Sequence, residues 1–222
     1  MNPKVLVGCP TSVYKKYCLK EYIQGIKNLT YDNFDVLIVD NSEDDIYYNE
    51  IKQELPCIKD KWFENARERI IHSRNLLRKK ILDEDYDYFL SLEQDVIPPK
   101  DIVERLLKHN KKIVSALYFK TDPNGILSPL LWIKDGAGIR KAYLDEVEKN
   151  EFVKAAAVGL GCILIHKDIL KNIEFRYDKN EEGFDDVFFC KDAIEKGFEV
   201  FCDTGIKCRH LIKEMNWDSI KK

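Results

Sequence analysis

Tyr88-Phe89-Leu90-Ser91-Leu92-Glu93-Gln94-Asp95-Val96-Ile97-Pro98-Pro99 is the stretch on which the reading of the chain turns. Its first residues are apolar, as in a buried parallel strand. The run then breaks into an acid, an amide and a second acid, and two prolines, unable to continue a ladder, stop it. Acid-x-acid at the carboxyl end of a buried strand sets two carboxylates at the rim of a sheet, where open α/β folds bind ligands. Two hard oxygen donors at that spacing suit Mg2+ or Mn2+, which can also grip phosphate oxygens. A solvated turn would carry the same letters, so the flanking segments decide.

Upstream, Lys4-Val5-Leu6-Val7-Gly8-Cys9 reads as a buried strand ended by Pro10-Thr11. Leu19, Tyr22, Ile23, Ile26 and Leu29 recur at helical spacing. Residues 35–40 form a second buried strand, closing on Asp40 and a polar loop. Strand, helix, strand implies parallel neighbours joined by a right-handed crossover. A long helix from about 64 to 83 follows, with Ala66, Ile70, Leu77 and Ile81 on one face. Ser73-Arg74-Asn75 lies on it, and Arg67, Arg69, Arg74, Arg78, Lys79 and Lys80 make it locally basic, most of them read as a solvated face. Beyond the acids, a helix from Asp101 to about His109, with Asp101 as cap, and a strand over 112–117 complete a regular alternation.

The pattern changes after Tyr118. Residues 119–152 mix Pro, Gly, Asp and Lys around Pro129-Leu130-Leu131-Trp132-Ile133, a surface excursion of the kind that carries substrate contacts. The small residues of 155–161, with Gly159 and Gly161, predict a backbone that something approaches closely, and 162–165 a strand. Gly183-Phe184-Asp185-Asp186 opens a helix stopped at Gly197. Paired acids there either cap the helix and complement its dipole or do chemistry. A last strand over 198–202 leads to Arg209-His210-Leu211, and the lysine-rich tail after Trp217 is expected to fray.

With 222 residues, 45% hydrophobic, and neither repeat nor linker, the chain is expected to be one domain over 1–222. Its architecture is predicted to be α/β, a mixed, mostly parallel sheet flanked by helices. A net charge of −3 with interspersed signs gives no basic face for nucleic acid. No apolar run approaches the roughly 18 residues of a membrane span, and the N-terminus is expected to enter a strand directly rather than a signal peptide. Seven cysteines without a Cys-x-x-Cys pair, several of them (Cys9, Cys162, Cys202) in apolar runs, predict reduced, buried thiols and a cytoplasmic protein.

In order and spacing these segments resemble the GT-A fold of nucleotide-sugar-dependent glycosyltransferases, particularly the inverting family 2, over roughly residues 4 to 211. Pro10 and Thr11 stand in the family's nucleotide-contacting loop. Asp40 stands where an aspartate contacts base or ribose, and Ser73-Arg74-Asn75 is similar to an Ala-Arg-Asn helix whose arginine lies near the nucleotide. Glu93-Gln94-Asp95 stands at the Asp-x-Asp metal motif with Glu for its first acid. Gly159 to Ile165 looks like the acceptor-side glycine stretch. Asp185-Asp186 matches a Glu-Asp pair, and His210 a late metal-binding histidine.

The resemblance implies a Rossmann-like GT-A domain with a nucleotide-sugar-binding half, 1–118, and an acceptor-binding half, 119–222. It implies transfer of a sugar from a nucleoside-diphosphate sugar to a hydroxyl of a glycan, lipid-linked or protein acceptor, which leaves peripheral membrane association open. Asp95, His210 and Glu93 would hold Mn2+ or Mg2+, and Glu93, Gln94 and Asp95 would stand at the donor. Asp186 would be the base, and Asp185 an orienting or capping acid. The rival readings are a sugar-phosphate nucleotidyltransferase and a noncatalytic carbohydrate-binding or scaffold protein. The loop Cys9-Pro10-Thr11-Ser12 lacks the glycine-rich, basic character of the former.

Overall fold

The structure, a computed structural model, describes residues 2–121, 125–181 and 183–212; the lysine-rich tail lies outside the described residues. Eight strands make the central sheet: β1 (Val5–Thr11), β2 (Phe34–Asp40), β3 (Cys57–Lys59), β4 (Tyr88–Leu92), β5 (Ile113–Leu117), β6 (Phe152–Ala155), β7 (Cys162–His166) and β8 (Val200–Lys207). Their spatial order is β6-β8-β5-β7-β4-β1-β2-β3. The pairings β1–β2, β1–β4, β2–β3 and β5–β8 are parallel, as the β/α alternation requires. β7 runs antiparallel between β4 and β5, and β6 antiparallel on β8, so the sheet is mixed and mostly parallel.

Seven helices accompany these strands among the described residues: α1 (Leu19–Lys27), α2 (Ile46–Lys52), α3 (Ala66–Asp83), α4 (Ile102–Leu107), α5 (Leu144–Val147), α6 (Lys167–Asn172) and α7 (Asp185–Glu195). The two-residue period of the strands divides the core. Leu6 and Phe89 pack with Leu77 and Ile81 of α3, Leu170 of α6 and Phe189 of α7. Val5, Val7 and Leu90 turn the other way, toward Tyr22 of α1, Ile51 of α2 and Leu106 of α4. A fully buried Leu, Ile or Phe contributes roughly 1.5–3 kcal/mol by leaving water, so both faces of the sheet are anchored.

The structure differs from the sequence reading in several places. The basic face of α3 is only partly solvated: Arg69 and Arg74 are buried, and Arg78 Nε donates to the carbonyls of Leu170 and Ile173. These guanidiniums satisfy the ends of neighbouring segments. Asp101 stands at the cap position of α4 but makes no capping hydrogen bond. The region read as an excursion holds short hairpins, Phe119–Thr121 with Leu127–Pro129 and Leu131–Asp135 with Gly138–Lys141. Gly197 ends α7 with φ +82°, the left-handed conformation expected of a helix stop.

No helix among the described residues is long and apolar enough to cross a membrane. All seven cysteines are free and buried.

Candidate active site

The carboxyl ends of β1, β2 and β4 lie side by side, with Thr11 in register with Asp40 and Gly8 with Ser91. The chain turns sharply after β4, Val96 N donating to Glu93 O at 2.9 Å, so the two acids of the motif meet different partners. Their separation organises the site.

Asp95 is 3% exposed. Its Oδ2 receives Lys15 Nζ, lies 3.3 Å from His210 Nε2 and accepts from the Tyr17 hydroxyl at 3.4 Å. Its Oδ1 is buried with no hydrogen-bond partner among the described residues. Burial alone would raise this carboxyl; the hydrogen bonds and charges of His210 and Lys15 prevail and hold it at about 2. His210 reaches it because Arg209–His210 pairs antiparallel with Val96–Ile97, putting His210 opposite Val96. Leu211 N closes the ribbon on Asp95 O at 2.6 Å. His210 Nδ1, 2.7 Å from Phe119 O, donates to that carbonyl, which turns Nε2 toward Asp95.

An unpartnered buried carboxylate oxygen beside an oriented imidazole is the donor chemistry of a divalent cation. These residues fit Mn2+ or Mg2+. Among the described residues no three His, Cys, Asp or Glu side chains gather as a complete ligand set. Of the three expected ligands, Asp95 and His210 come together. Glu93 is directed elsewhere, its Oε1 accepting from Arg74 Nη2 at 3.0 Å.

Arg74 is a hub. It is 1% exposed, with Nε donating to Asp185 Oδ2 at 2.6 Å and Nη1 to Ser91 Oγ at 2.7 Å. Burial opposes its charge, but Asp185 and Glu93 outweigh that and raise its pKa further. The bond fixes the first turn of α7. Asp185 is buried at 5% and committed to the guanidinium, so it does not cap the helix; Phe184 occupies that position without a side-chain bond.

Asp186, rotated about 100° around the helix, has no ion-pair partner among the described residues. Its Oδ1 accepts from Val187 N at 2.8 Å. Burial first, then the charge of Asp185, pushes its carboxyl up to about 6, with Glu93 adding to the rise. The two acids are thereby given opposite chemistry.

The residues expected on the nucleotide side fall into two groups. Pro10, Thr11, Lys15, Asn41 and Glu93 line a cleft of about 140 Å³. Gln94 borders it too, but its side chain is 1% exposed and takes Thr11 Oγ1, the Lys15 carbonyl and the Tyr47 hydroxyl. It positions the loop after β1. Asp40 is fully enclosed, its Oδ1 holding the Ser42 hydroxyl at 2.6 Å and its Oδ2 the Lys59 ammonium at 2.9 Å. The carboxylate expected at base or ribose thus shapes the loop from within, and Asn41 is the β2-end residue on the cleft. A larger cavity of about 670 Å³, floored by Leu131, Val153, Ile194 and Phe198, includes none of these acids. Chemistry rather than volume marks the site.

Three participants escaped the sequence reading. Lys15 had no signal separating it from Lys16, which pairs with Glu50 at the surface. Ser91 hides inside an apolar strand. Tyr118 was announced only indirectly, by the glycines: a Cβ on Gly159 would stand 2.1 Å from its hydroxyl oxygen, and one on Gly161 2.7 Å from its ring. The close approach is therefore internal. Gly161 N donates to the Tyr118 hydroxyl at 2.8 Å, and the ring meets His210 edge-on, centroids 5.3 Å apart.

No protein-family model and no curated protein matches the sequence. Solved structures match in shape. A crystal structure of GalNAc-T7 with UDP, GalNAc and Mn2+ superposes with a TM-score of 0.70 at 9% identity, over 95% of this chain and 44% of that one. The mannosyltransferase PcManGT from Pyrobaculum calidifontis, in complex with GDP-Man and Mn2+, superposes at 0.65 and 14% identity, over 100% and 60%. A197 from STIV does so at 0.52 and 15% identity, over 95% and 87%.

The chain has the GT-A fold.

It spans less than two thirds of GalNAc-T7 and of PcManGT. Within this GT-A sheet the strand ends of β1, β2 and β4 supply the cleft and the acid-x-acid turn. β7, the antiparallel insertion, presents Gly161 O to Glu93 N at 2.9 Å and so braces that turn from the other side.

Proposed function

We propose that this protein transfers a sugar from a nucleoside-diphosphate sugar to a hydroxyl acceptor, with inversion, in the manner of family 2 glycosyltransferases. One observation carries the reading: Arg74 commits Asp185 and leaves Asp186 unpaired, with its carboxyl raised to about 6. A carboxylate poised near neutral pH, in no ion pair among the described residues, is what taking a proton from an attacking hydroxyl requires.

Asp95 and His210 would hold Mn2+ or Mg2+, and Glu93, fixed by Arg74, would border the donor without being a direct ligand. The bound cation would neutralise the leaving diphosphate as a Lewis acid. Pro10, Thr11 and Asn41 would frame the nucleotide, with Asp40 and Gln94 holding their loops in shape. Residues 1–118 would serve the donor and 119–222 the acceptor, a glycan, a lipid-linked glycan or a protein. Seven free, buried thiols suit a reducing compartment such as the cytoplasm.

A thermal-shift panel of UDP- and GDP-sugars, with and without Mn2+, tests the reading, because a ligand that binds only the folded state raises its stability. Stabilisation that requires both nucleotide and Mn2+, and that disappears in Asp95→Ala, is the expected result. No shift with any donor would refute it.

A further inference from the structure

We propose that Lys15 is a diphosphate-binding residue, whose ammonium holds Asp95 while no divalent cation is present and passes to the donor's diphosphate when a cation takes its place. This rests on the sugar-transfer reading.

Lys15 Nζ engages Asp95 Oδ2, the same oxygen that His210 Nε2 faces at 3.3 Å and the Tyr17 hydroxyl at 3.4 Å. The ammonium therefore stands where a cation held by Asp95 and His210 would be approached. A dication and an ammonium on one carboxylate repel, and the Asp95 side chain is only 4% exposed. The lysine, on a flexible and partly exposed stem, is the partner able to leave.

The geometry allows that exchange. Lys15's backbone is pinned, its N–H donating to Ser12 O at 2.8 Å and its carbonyl accepting from Gln94 Nε2 at 2.7 Å. Its side chain is 37% exposed, so the stem has room to swing while its root stays fixed. It swings along a cleft it already lines, beside Pro10, Thr11 and Asn41. Lys15 is the one cation among the described residues bordering that cleft. Arg74, the nearest alternative, is committed to Asp185, Glu93 and Ser91. A diphosphate entering there meets a single mobile positive charge, and an ammonium binds phosphate as a point charge without needing a fixed fork.

Exchange has a signature that a merely structural ion pair lacks. Lys15 competes with the metal and cooperates with the diphosphate, so its removal must move the two affinities in opposite directions. Free Mn2+ is titrated by electron paramagnetic resonance into wild type, Lys15→Met and Lys15→Arg, and UDP and GDP are then titrated calorimetrically into each Mn2+-loaded protein. Lys15→Met is expected to bind Mn2+ alone about threefold tighter, and whichever diphosphate wild type binds about tenfold weaker. Lys15→Arg, which keeps the charge, should stay within about threefold of wild type for the diphosphate. Lys15→Gln carries the expectations of Lys15→Met should that variant not fold.

If Lys15→Met and wild type share both constants, Lys15 is only the counter-ion of Asp95 and the proposal falls, with the transfer reading intact. If the diphosphate weakens while Mn2+ binding does not tighten, the exchange is overturned. If wild type binds neither Mn2+ nor a diphosphate, the transfer reading fails and takes this proposal with it.

Discussion

Arg74 Nε and Asp185 Oδ2, on residues 111 apart in sequence, meet at 2.6 Å with both side chains almost wholly buried. The bond locks α3 to the first turn of α7, and it settles which of two adjacent acids remains available. Cutting it leaves Asp185 and Glu93 without their cation. Arg74→Met should therefore destabilise the fold by about 3–5 kcal/mol, the usual cost of an uncompensated buried charge. Adding Asp185→Asn should recover part of that loss, and urea denaturation of the single and double variants measures the coupling.

Asp186 has the opposite fate, and pH reads it. A base must be deprotonated to work, so transfer should rise with pH through about 6 and level off above it. Asp186→Asn should lower turnover roughly 10²–10⁴-fold with donor affinity unchanged. The sign for stability runs the other way. Folding raises this carboxyl from 3.8 to about 6, so between those values the native state binds more protons, and stability falls as pH rises through the window. Asp186→Asn should flatten that slope in denaturation curves taken from pH 4 to 7. An unchanged slope would mean that another group carries the proton.

Asp40 should behave as a strut. Asp40→Asn keeps the Ser42 contact but replaces the enclosed charge facing the Lys59 ammonium with an amide, leaving Lys59 only the Ser42 and Asp44 carbonyls and the more distant Asp45. A loss of roughly 1–3 kcal/mol in chemical denaturation is expected. Nucleotide affinity, measured by calorimetry where both proteins are folded, should change far less than stability.

Gly159→Ala tests the link from the glycine strand to the metal side. The new methyl would overlap the Tyr118 hydroxyl, so the ring must shift or the strand must bend, at about 1–3 kcal/mol. Because that ring packs edge-on against His210, the variant should also weaken Mn2+ binding. Tyr118→Phe, which removes the hydroxyl and keeps the ring, should lose less Mn2+ affinity than Gly159→Ala.

Much of this was legible in the chain. The strand ends at Asp40 and Leu92 and the helix stop at Gly197 sit where apolar runs and turn residues placed them. Legible features were local, because a run of β-branched residues or a helix-ending glycine acts over a few positions. The direction of a side chain was not legible. Nothing in Glu93-Gln94-Asp95 says that the first acid meets Arg74 and the third meets Lys15, since the turn after β4 decides it. Nor does β7 announce that it runs antiparallel between β4 and β5, an arrangement decided by the long stretch between Leu117 and Cys162. Tyr118 lies between these cases: the glycines signalled a close neighbour, and only tertiary packing could name it.

The ribbon of Arg209–His210 on Val96–Ile97 is two residues long on each side, and it carries the imidazole toward Asp95. So short a pairing is expected to open far more readily than the eight-stranded sheet. The proposed metal site could thus be disassembled without unfolding: peeling this ribbon would remove His210 and leave Asp95 on its scaffold. Hydrogen exchange at Cys208 and Leu211, whose amides bond to Leu117 O and Asp95 O, should accordingly slow more on Mn2+ loading than exchange anywhere in β1 or β4. A bound metal would, in that sense, be the latch of a door that the sheet merely frames.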